Sequence, residues 1–376
     1  MYVTRPRSLY KKDPSALCVP PPGGPSSGYL VIQDEAANSN IKHMPFPQNT
    51  NLTVTYTVST GQSTAVYEDK VLFIPVPNLP LSSNRYYVIR RKGKHQGEAG
   101  TSSTEDDMGT CCCCNYVKDV KPKPLDPYDA HQVFEIMRKH GGFHAKSVAE
   151  DGFPPEFLRR TGWTVSGNTR HHYSLDEALG LNSSLRSQLP DFNFPLSNAR
   201  SESVTIGKWY VPFMFVKEDM KLSDQMKNSV FYRMKLMQRW EEVFSKENRN
   251  GEENNGVCVD VVIGKECVVV GGKEGVLGEG DGDGVLWFNG KGGEGKVGLS
   301  LAVYEQMKWE EERGGWVGGK EREVRLRRED KFEGSFGWKK YGCYVLVESF
   351  VLNRMDGSFV LSYDFRHTNQ IRCKWE

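Results

Sequence analysis

The residues most suited to chemistry are four adjacent cysteines, Cys111–Cys114. Adjacent thiolates cannot enclose a tetrahedral zinc ion by themselves, because zinc sites use separated pairs of cysteines. Disulfides between neighbouring cysteines would be strained. Three lysines follow (Lys118, Lys121 and Lys123), and acyl chains combined with basic residues make a two-signal membrane anchor. The run therefore predicts S-acylation at Cys111, Cys112, Cys113 and Cys114. The alternative is a reduced cysteine cluster packed against the end of a strand.

Two glycine-rich segments approach known ligand-binding motifs, but each lacks one required residue. Gly290–Val297 has the glycines and the lysine of a phosphate-binding loop, but Val297 stands where a magnesium-binding Ser or Thr is needed. Glu279–Gly284 resembles the start of a calcium loop, but the twelfth position, which requires Glu, is Gly290. The eight histidines are scattered along the chain. The sequence therefore predicts no catalytic, cofactor-binding or metal-binding set of residues.

The bulk composition is that of a folded protein with almost no net charge. The 376 residues include 49 Lys and Arg against 48 Asp and Glu, and the net charge of +1 excludes a polybasic nucleic-acid-binding protein. Hydrophobic residues make up 38% and aromatic residues 11%, which excludes a chain disordered throughout. No apolar stretch at the start resembles a secretory signal, and no stretch approaches the ~20 apolar residues of a membrane-spanning helix. We therefore expect an intracellular, cytoplasmic protein with reduced thiols.

The elements that must position these residues fall into three predicted regions. Residues 1–118 form a β-rich region that begins with a segment rich in Pro and Gly. Residues 119–200 form a small helical middle region. One helix is predicted to start at Asp126-Pro127, with Val133 and Phe134 in its apolar stripe, and another is predicted to start at Ser174–Glu177. Residues 201–376 form a C-terminal α+β domain with a glycine-rich insert at 271–295.

The C-terminal region carries the sharpest patterns. A helix is predicted from Ser223, because apolar residues recur at helical spacing as far as Phe244. Two hairpins are predicted to follow, with turns at Gly264-Lys265 and Asp356-Gly357. The predicted fold class is therefore α+β, predominantly antiparallel β hairpins with a packed helix, plus the small helical middle region.

The Asp356-Gly357 turn also predicts a register. It places Leu352 opposite Leu361 and Phe350 opposite Tyr363, since the two central residues of the turn fix the pairing. The side chains predicted to face the core are Phe359, Leu361, Tyr363 and Phe365. Those predicted to face outward are Ser362, Asp364 and Arg366. A slip of one residue would turn the aromatic row to solvent, so we expect this register to be well defined.

Five blocks distributed along the chain resemble one plant family. They are Met1–Pro6, Gly28–Glu35, Asp119–Pro127, Gly207–Glu218 and Tyr363–Glu376. Together they resemble the family catalogued as domain of unknown function number 1262, and the resemblance covers nearly the whole chain. It implies a land-plant source and a single extended architecture. It implies no activity and supplies no catalytic residues.

The last of these blocks contains a candidate binding surface made of Arg366, His367, Asn369 and Gln370. The alternative is that these polar residues only end a strand. The function stays unknown, and the sequence favours a non-enzymatic intracellular binding protein with an unknown protein partner, no nucleic-acid partner, no transmembrane segment and peripheral membrane contact through the cysteines. The alternative function is an uncharacterised, hydrolase-like enzyme whose site is built from distant residues.

Overall fold

The computed structural model describes residues 1–35, 40–59, 61, 63–111, 114–172, 174–248, 256–278, 284–292, 295–334 and 337–376. The strands in chain order are β1 (Tyr2–Pro6), β2 (Gly28–Ile32), β3 (Asn40–Ile41), β4 (Thr50–Ser59), β5 (Thr64–Pro75), β6 (Arg85–Arg90), β7 (Met108–Cys111), β8 (Cys114–Val117), β9 (Val133–Lys139), β10 (Gly142–Ser147), β11 (Thr164–His172), β12 (Gly180–Leu181), β13 (Val204–Pro212), β14 (Val216–Glu218), β15 (Phe231–Glu247), β16 (Gly256–Gly264), β17 (Glu266–Val270), β18 (Lys273–Leu277), β19 (Val285–Gly290), β20 (Lys296–Ser300), β21 (Glu323–Lys331), β22 (Lys340–Arg354) and β23 (Phe359–Trp375). The α-helices are α1 (Arg7–Lys12), α2 (Glu156–Arg159), α3 (Ser183–Gln188), α4 (Leu222–Asn228) and α5 (Leu301–Arg313).

The chain divides into two compact units. The first comprises Met1–Ala178 and Tyr210–Phe231, and the second comprises Leu179–Trp209 and Tyr232–Glu376. The main sheet of the first unit is antiparallel, with the strand order β10-β9-β6-β5-β4-β11-β3. An aromatic cluster fills its core, in which Phe46 packs on Phe73 and Trp163 stacks on the same ring.

The second unit is built on a sheet with the order β20-β19-β18-β17-β23-β22-β15-β13. A separate antiparallel ribbon pairs β16 with β21. The longest hairpin joins β22 to β23. Apolar side chains are buried along both of its strands, including Val345 and Phe350 of β22 and Phe365 of β23. The hairpin therefore contributes much of the core of this unit.

The register predicted for this hairpin is confirmed. Phe350 pairs with Tyr363, and Leu352 pairs with Leu361. Further from the turn, Leu346 pairs with His367 but Val345 pairs with Ile371. Residues 368–370 therefore form a three-residue bulge in β23, which interrupts the ladder beyond His367.

The predicted faces of β23 are confirmed in part. Leu361, Tyr363 and Phe365 are buried as expected. Phe359 is 36% exposed, because the pairing shifts between Leu352 and Asn353 at the start of the strand. Asp364, predicted to face outward, is buried in an ion pair described below.

The predicted α+β class is wrong, because the protein is mostly β, with about half of its residues in strands. The helix predicted from Ser223 is α4, which ends at Asn228, and the rest of that segment is the 17-residue strand β15. Its buried positions alternate: Met234, Leu236, Gln238 and Trp240 are buried, and Lys235, Met237 and Arg239 between them are half-buried. The helical spacing was accidental, and pairing with β22 selects the two-residue period.

The helical middle region is also wrong. Val133 and Phe134 lie in β9, which β6 and β10 pair on either side, so sheet pairing overrides the local helix signals. The segment Ser174–Glu177 forms no regular element. The hairpin predicted at Gly264-Lys265 is wrong too, because β16 pairs with β21 whereas β17 pairs with β18 and β23. No helix in the described part of the chain is long and apolar enough to cross a membrane.

Candidate functional site

A cleft of about 420 Å³ opens in the second unit. The strands β17, β18 and β19 form one wall, and α5 with residues 316–322 forms the other. Helix α5 presents Tyr304 and Lys308 to the cleft, because side chains four positions apart lie on one face of a helix. Its Met307 and Glu311 are buried one turn apart on another face. The volume lies within the range of small-molecule sites, about 300–1,000 Å³.

Two tyrosines link α5 to β17 across the cleft. The Tyr363 hydroxyl donates to Glu266 Oε2 at 2.7 Å. The ring of Tyr304 packs on that of Tyr363, with ring centroids 5.6 Å apart. Burial, followed by the charge of Glu266, raises the pKa of both tyrosines. Both hydroxyls therefore stay neutral near pH 7 and serve as hydrogen-bonding groups.

Four cationic side chains line the same cleft: Lys265, Lys308, Lys320 and Arg322. Lys265 is only 8% exposed, and its Nζ donates to the carbonyl of Gly318 at 3.2 Å. No carboxylate among the residues that the structure describes forms an ion pair with any of the four. Glu266, the nearest acid on β17, accepts from Tyr363 instead. Three carboxylates, Glu266, Glu274 and Glu321, line the cleft as well, and Glu274 pairs with Lys291. The cleft therefore combines aromatic walls with four cations, none of which forms an ion pair with a carboxylate among the described residues.

A buried polar network lies on the other side of α5, and we call it the Arg186 network. Its members are Arg186, Gln238, Glu311, Glu348 and His367. Arg186 binds both oxygens of Glu348 through Nε and Nη2, and its Nη1 donates to the carbonyl of Glu310 at 2.8 Å. His367 Nε2 lies 2.9 Å from Glu311 Oε2. Gln238 donates to Glu348 Oε1 at 2.7 Å. These contacts join α5 to α3, β15, β22 and β23, so the network holds the helical wall of the cleft in place.

The electrostatics of the network follow from its geometry. Burial raises the pKa of Glu348, but the hydrogen bond from His367 and the charge of Arg186 outweigh burial and lower that pKa to about 2. Burial lowers the pKa of His367, but its hydrogen bonds to Glu311 and Glu348 raise that pKa to about 9. Burial and the like charge of Glu348 raise the pKa of Glu311, against the hydrogen bond from His367. Arg186 and Glu348 therefore form a charged pair, and Glu311 and His367 share a proton beside it.

Three members of this network are close enough to suggest a metal centre. The candidate ligand atoms of Glu311, Glu348 and His367 all lie within 4.8 Å of one another. However, the Arg186 guanidinium already binds Glu348 and lies 3.5 Å from Glu311 Oε2. A protonated imidazole also has no lone pair to offer a metal. These residues therefore fit an ion-pair network better than a metal centre.

The structure separates the residues of the candidate binding surface predicted from the sequence. His367 belongs to the buried Arg186 network. Arg366 points to the opposite face of the sheet, where its Nη2 lies 2.9 Å from Glu241 Oε1. Asn369 and Gln370 are exposed in the bulge of β23, and Asn369 donates to the carbonyl of Gly315 at 3.1 Å. All four lie inside β23, so they do not end the strand.

Arg366 shares its face of the sheet with a second charged cluster. Arg239 lies 2.8 Å from Asp364 and 2.9 Å from Glu241, and Arg366 approaches the other oxygen of Glu241. Burial raises the pKa of Glu241, but the hydrogen bonds and charges of the two arginines outweigh it and lower that pKa. The two arginines balance the charges of Glu241 and Asp364, which explains how Asp364 can be buried.

The cysteine run lies in the first unit at a short hairpin. Strands β7 and β8 pair antiparallel, and Cys111 and Cys114 are directly opposite each other in the register. Cys112 and Cys113 lie outside the described residues. The structure therefore pairs the two flanking cysteines and leaves the acylation hypothesis as a prediction.

With this geometry established, comparison with known proteins identifies one segment. Residues 23–113 match the family described as "Protein of unknown function (DUF1262)". That match confirms the predicted resemblance for this part of the chain. The matched segment lies within the first unit, so it contains neither the cleft nor the Arg186 network.

A solved structure titled "Crystal structure of Cry35Ab1" is similar over 88% of this chain and 90% of that chain, with 9% sequence identity and a TM-score of 0.48. A likeness at that level carries no argument about function. No curated protein matches the chain.

Sequence reasoning missed most residues of the cleft. The sequence predicts Lys265 in a hairpin turn and Tyr363 facing the core, and neither prediction indicates a binding site. One signal was available, because Glu348 is the only charged residue between Tyr341 and Phe350, an otherwise apolar stretch. A charge in such a stretch requires a buried partner. That partner, Arg186, lies 162 residues earlier in the chain and could not be found by pattern.

Proposed function

We propose that the second unit binds a small anionic ligand with an apolar or aromatic part, and that the cleft between α5 and β17–β19 is its site. The observation that carries this proposal is the buried lysine Lys265. A lysine is almost never buried without a partner, because taking an ammonium out of water is costly. Among the described residues, the only acceptor for its three donor hydrogens is the carbonyl of Gly318. A ligand carboxylate or phosphate would satisfy the remaining donors.

The other walls of the cleft support the same ligand chemistry. Lys308 and Arg322 act electrostatically on the Tyr304 hydroxyl, and both line the same cleft as Lys265. The buried rings of Phe288 and Trp316 supply an apolar surface. Sites for small molecules typically combine such a surface with a few convergent polar groups.

Binding is favoured over catalysis by the state of the two tyrosines. Their raised pKa values keep the hydroxyls protonated near pH 7, where they are poor bases and poor nucleophiles. The Tyr304 hydroxyl can donate a hydrogen bond to a bound anion, whereas the proton of Tyr363 is already used on Glu266. The hydrolase-like alternative would require turnover of an ester or amide, which the same ligand experiments can detect.

The proposal predicts that phenylacetate, octanoate or phenyl phosphate binds the full chain, and that Lys265→Met weakens that binding. Loss of one charge-assisted hydrogen bond costs about 1.5–3 kcal/mol, so the dissociation constant should rise by roughly tenfold or more. Isothermal titration calorimetry measures both constants. The neutral analogue 2-phenylethanol should bind more weakly than phenylacetate by a similar factor.

The matched control is Lys339→Met, the same substitution at an exposed lysine of the second unit that does not line the cleft. This variant should bind the probes as the unsubstituted chain does. If none of the three anions binds in the millimolar range, the proposal is wrong. It is also wrong if the two lysine variants bind equally well.

A second candidate function is peripheral membrane attachment through Cys111–Cys114. The observation that favours it is the exposure of large apolar side chains on both faces of the same hairpin. Met108, 43% exposed, pairs with Val117 on one face, and Tyr116, 53% exposed, pairs with Gly109 on the other. Acyl chains on the cysteines would add to these apolar side chains, with Lys118 close in sequence to meet anionic lipid headgroups. We also propose a land-plant source, in line with the family resemblance, together with a cytoplasmic location and a protein partner.

Replacing Cys111–Cys114 with serine should move the protein from the membrane fraction to the soluble fraction of plant cells by several-fold. It should also abolish hydroxylamine-sensitive acyl exchange, because these cysteines would carry the thioesters. Cys18→Ser and Cys258→Ser are matched controls, since both are exposed free thiols elsewhere in the chain. Affinity purification of the wild type and the four-serine variant from the same tissue would show whether a partner depends on attachment. An unmodified cysteine run in cells would exclude this function.

A further inference from the structure

Two further cysteines face each other across the β22–β23 hairpin. Cys343 and Cys373 are directly opposite in the register, and both are free thiols. Residues directly opposite in an antiparallel pair have Cα atoms about 4.5–5.5 Å apart, within the roughly 4.4–6.8 Å that a disulfide spans. A bond between the two sulfurs therefore requires no movement of the strands.

The two thiols differ in access. Cys343 is fully buried in an apolar cluster with Val259 and Trp338. Cys373 is partly exposed and lines a cleft of about 540 Å³ together with Arg328. A small reagent can therefore reach Cys373 from solvent, whereas Cys343 is buried and does not line this cleft.

Polar groups around Cys373 favour its thiolate. Arg328 Nη2 pairs with Asp330 Oδ1 at 2.6 Å, and the Tyr341 hydroxyl donates to the other oxygen of Asp330. The hydrogen bond from Cys343 lowers the pKa of Cys373 against burial and Asp330, and Tyr341 and Arg328 lower it further. The same hydrogen bond, followed by burial, raises the pKa of Cys343. The accessible sulfur therefore has the greater thiolate character, which is what makes a cysteine reactive.

We propose that Cys373 is a reaction site for hydroperoxides and that Cys343 is its resolving cysteine. The Cys373 thiolate attacks one oxygen of the peroxide, so an S–O bond forms and the O–O bond breaks. The leaving alkoxide or hydroxide takes a proton from water. Cys373 is oxidised to the sulfenic acid, and the peroxide is reduced to an alcohol or water.

The second step closes the disulfide. The Cys343 sulfur attacks the sulfur of the sulfenic acid, an S–S bond forms and the S–O bond breaks. The hydroxyl leaves with the proton of Cys343 as water. A dithiol reductant returns both cysteines to thiols by exchange. This chemistry is independent of the ligand cleft, and each proposal can fail without affecting the other.

The test uses the full chain with serine at 111–114, so that the cysteine run does not contribute. After reduction and treatment with hydrogen peroxide, digestion without reductant should yield the Cys343–Cys373 cross-linked peptide by mass spectrometry. In Cys343→Ser, the sulfenic acid cannot be resolved, and dimedone should label Cys373. Arg328→Met should slow that labelling several-fold, because the thiolate loses a nearby positive charge.

Cys18 and Cys258 are internal controls, since both are exposed thiols in the same molecule. They should be oxidised at least about tenfold more slowly than Cys373, because Cys258 pairs with Glu329 and Cys18 lies outside the strands, so neither sits opposite a second thiol in a strand pair. Equal rates at these three positions would overturn the proposal. So would the absence of the cross-linked peptide, a measurement that needs no substitution at either cysteine of the pair.

Discussion

Replacing Arg186 with methionine should lower the free energy of unfolding of the second unit by about 3–5 kcal/mol. The guanidinium neutralises Glu348 through two bonds and supplies a donor to the carbonyl of Glu310. Glu311 and Glu348 are at most 1% exposed, so without Arg186 the two carboxyl groups would remain buried with His367 as their remaining cationic partner in the network. Urea unfolding followed by tryptophan fluorescence measures the change, because every tryptophan except Trp163 lies in the second unit.

Arg325→Met provides a matched control for burial. Arg325 also makes two bonds to one carboxylate, at 2.6 and 2.7 Å to Asp260, but both side chains are exposed. We therefore expect Arg325→Met to change the unfolding free energy far less than Arg186→Met, because water and salt screen the charges of exposed pairs. The double variant Arg186→Met with Glu348→Met should recover much of the lost stability, since it removes the buried charge pair as a whole. Equal losses for Arg186→Met and Arg325→Met would show that the network is not effectively buried.

Replacing Phe365 with alanine should cost about 3–5 kcal/mol of unfolding free energy. Phe365 is fully buried. Its ring centroid lies 5.1 Å from that of Trp316, 5.0 Å from that of Tyr363 and 6.0 Å from that of Phe350. The cavity left behind would adjoin Trp316 and Tyr363, which line the ligand cleft. We therefore expect weaker binding of the anionic probes as well as lower stability.

Phe359→Ala is the control in the same strand. Phe359 is 36% exposed, so its loss should change the unfolding free energy by about 0.5 kcal/mol. Chemical denaturation of both variants by the same fluorescence signal gives the comparison. A loss at Phe359 as large as that at Phe365 would mean that the start of β23 packs differently from the structure described.

The sequence was sufficient to predict the structure where the alternation of apolar residues agreed with a turn signal. Asp356-Gly357 fixes the β22–β23 turn, and the alternation of Leu361, Tyr363 and Phe365 selects one face, so the register could be predicted. It was insufficient where two periods competed. The segment after Asn228 satisfies a helical spacing through Val230 and Met234, and also a strand period, and only its partner strands decide between them.

The candidate site could not be predicted because its parts meet only in three dimensions. Lys265 and Lys308 line the same cleft because α5 packs on the sheet. Arg186 binds Glu348, which lies 162 residues later in the chain. Neither association leaves a spacing in the sequence. The pairing of Cys343 with Cys373 is a further case, because the register counted from the Asp356-Gly357 turn would place Gln370 opposite Cys343.

The bulge at 368–370 has a consequence for both faces of the hairpin. Because three is an odd number of extra residues, it reverses the phase of side-chain alternation along β23. His367 points towards Glu348, whereas Cys373, six positions on and of the same parity, points to the opposite face with Cys343. One strand can thus supply an ion-pair network to one side of the sheet and a thiol to the other. An even-numbered insertion would have left both on the same side.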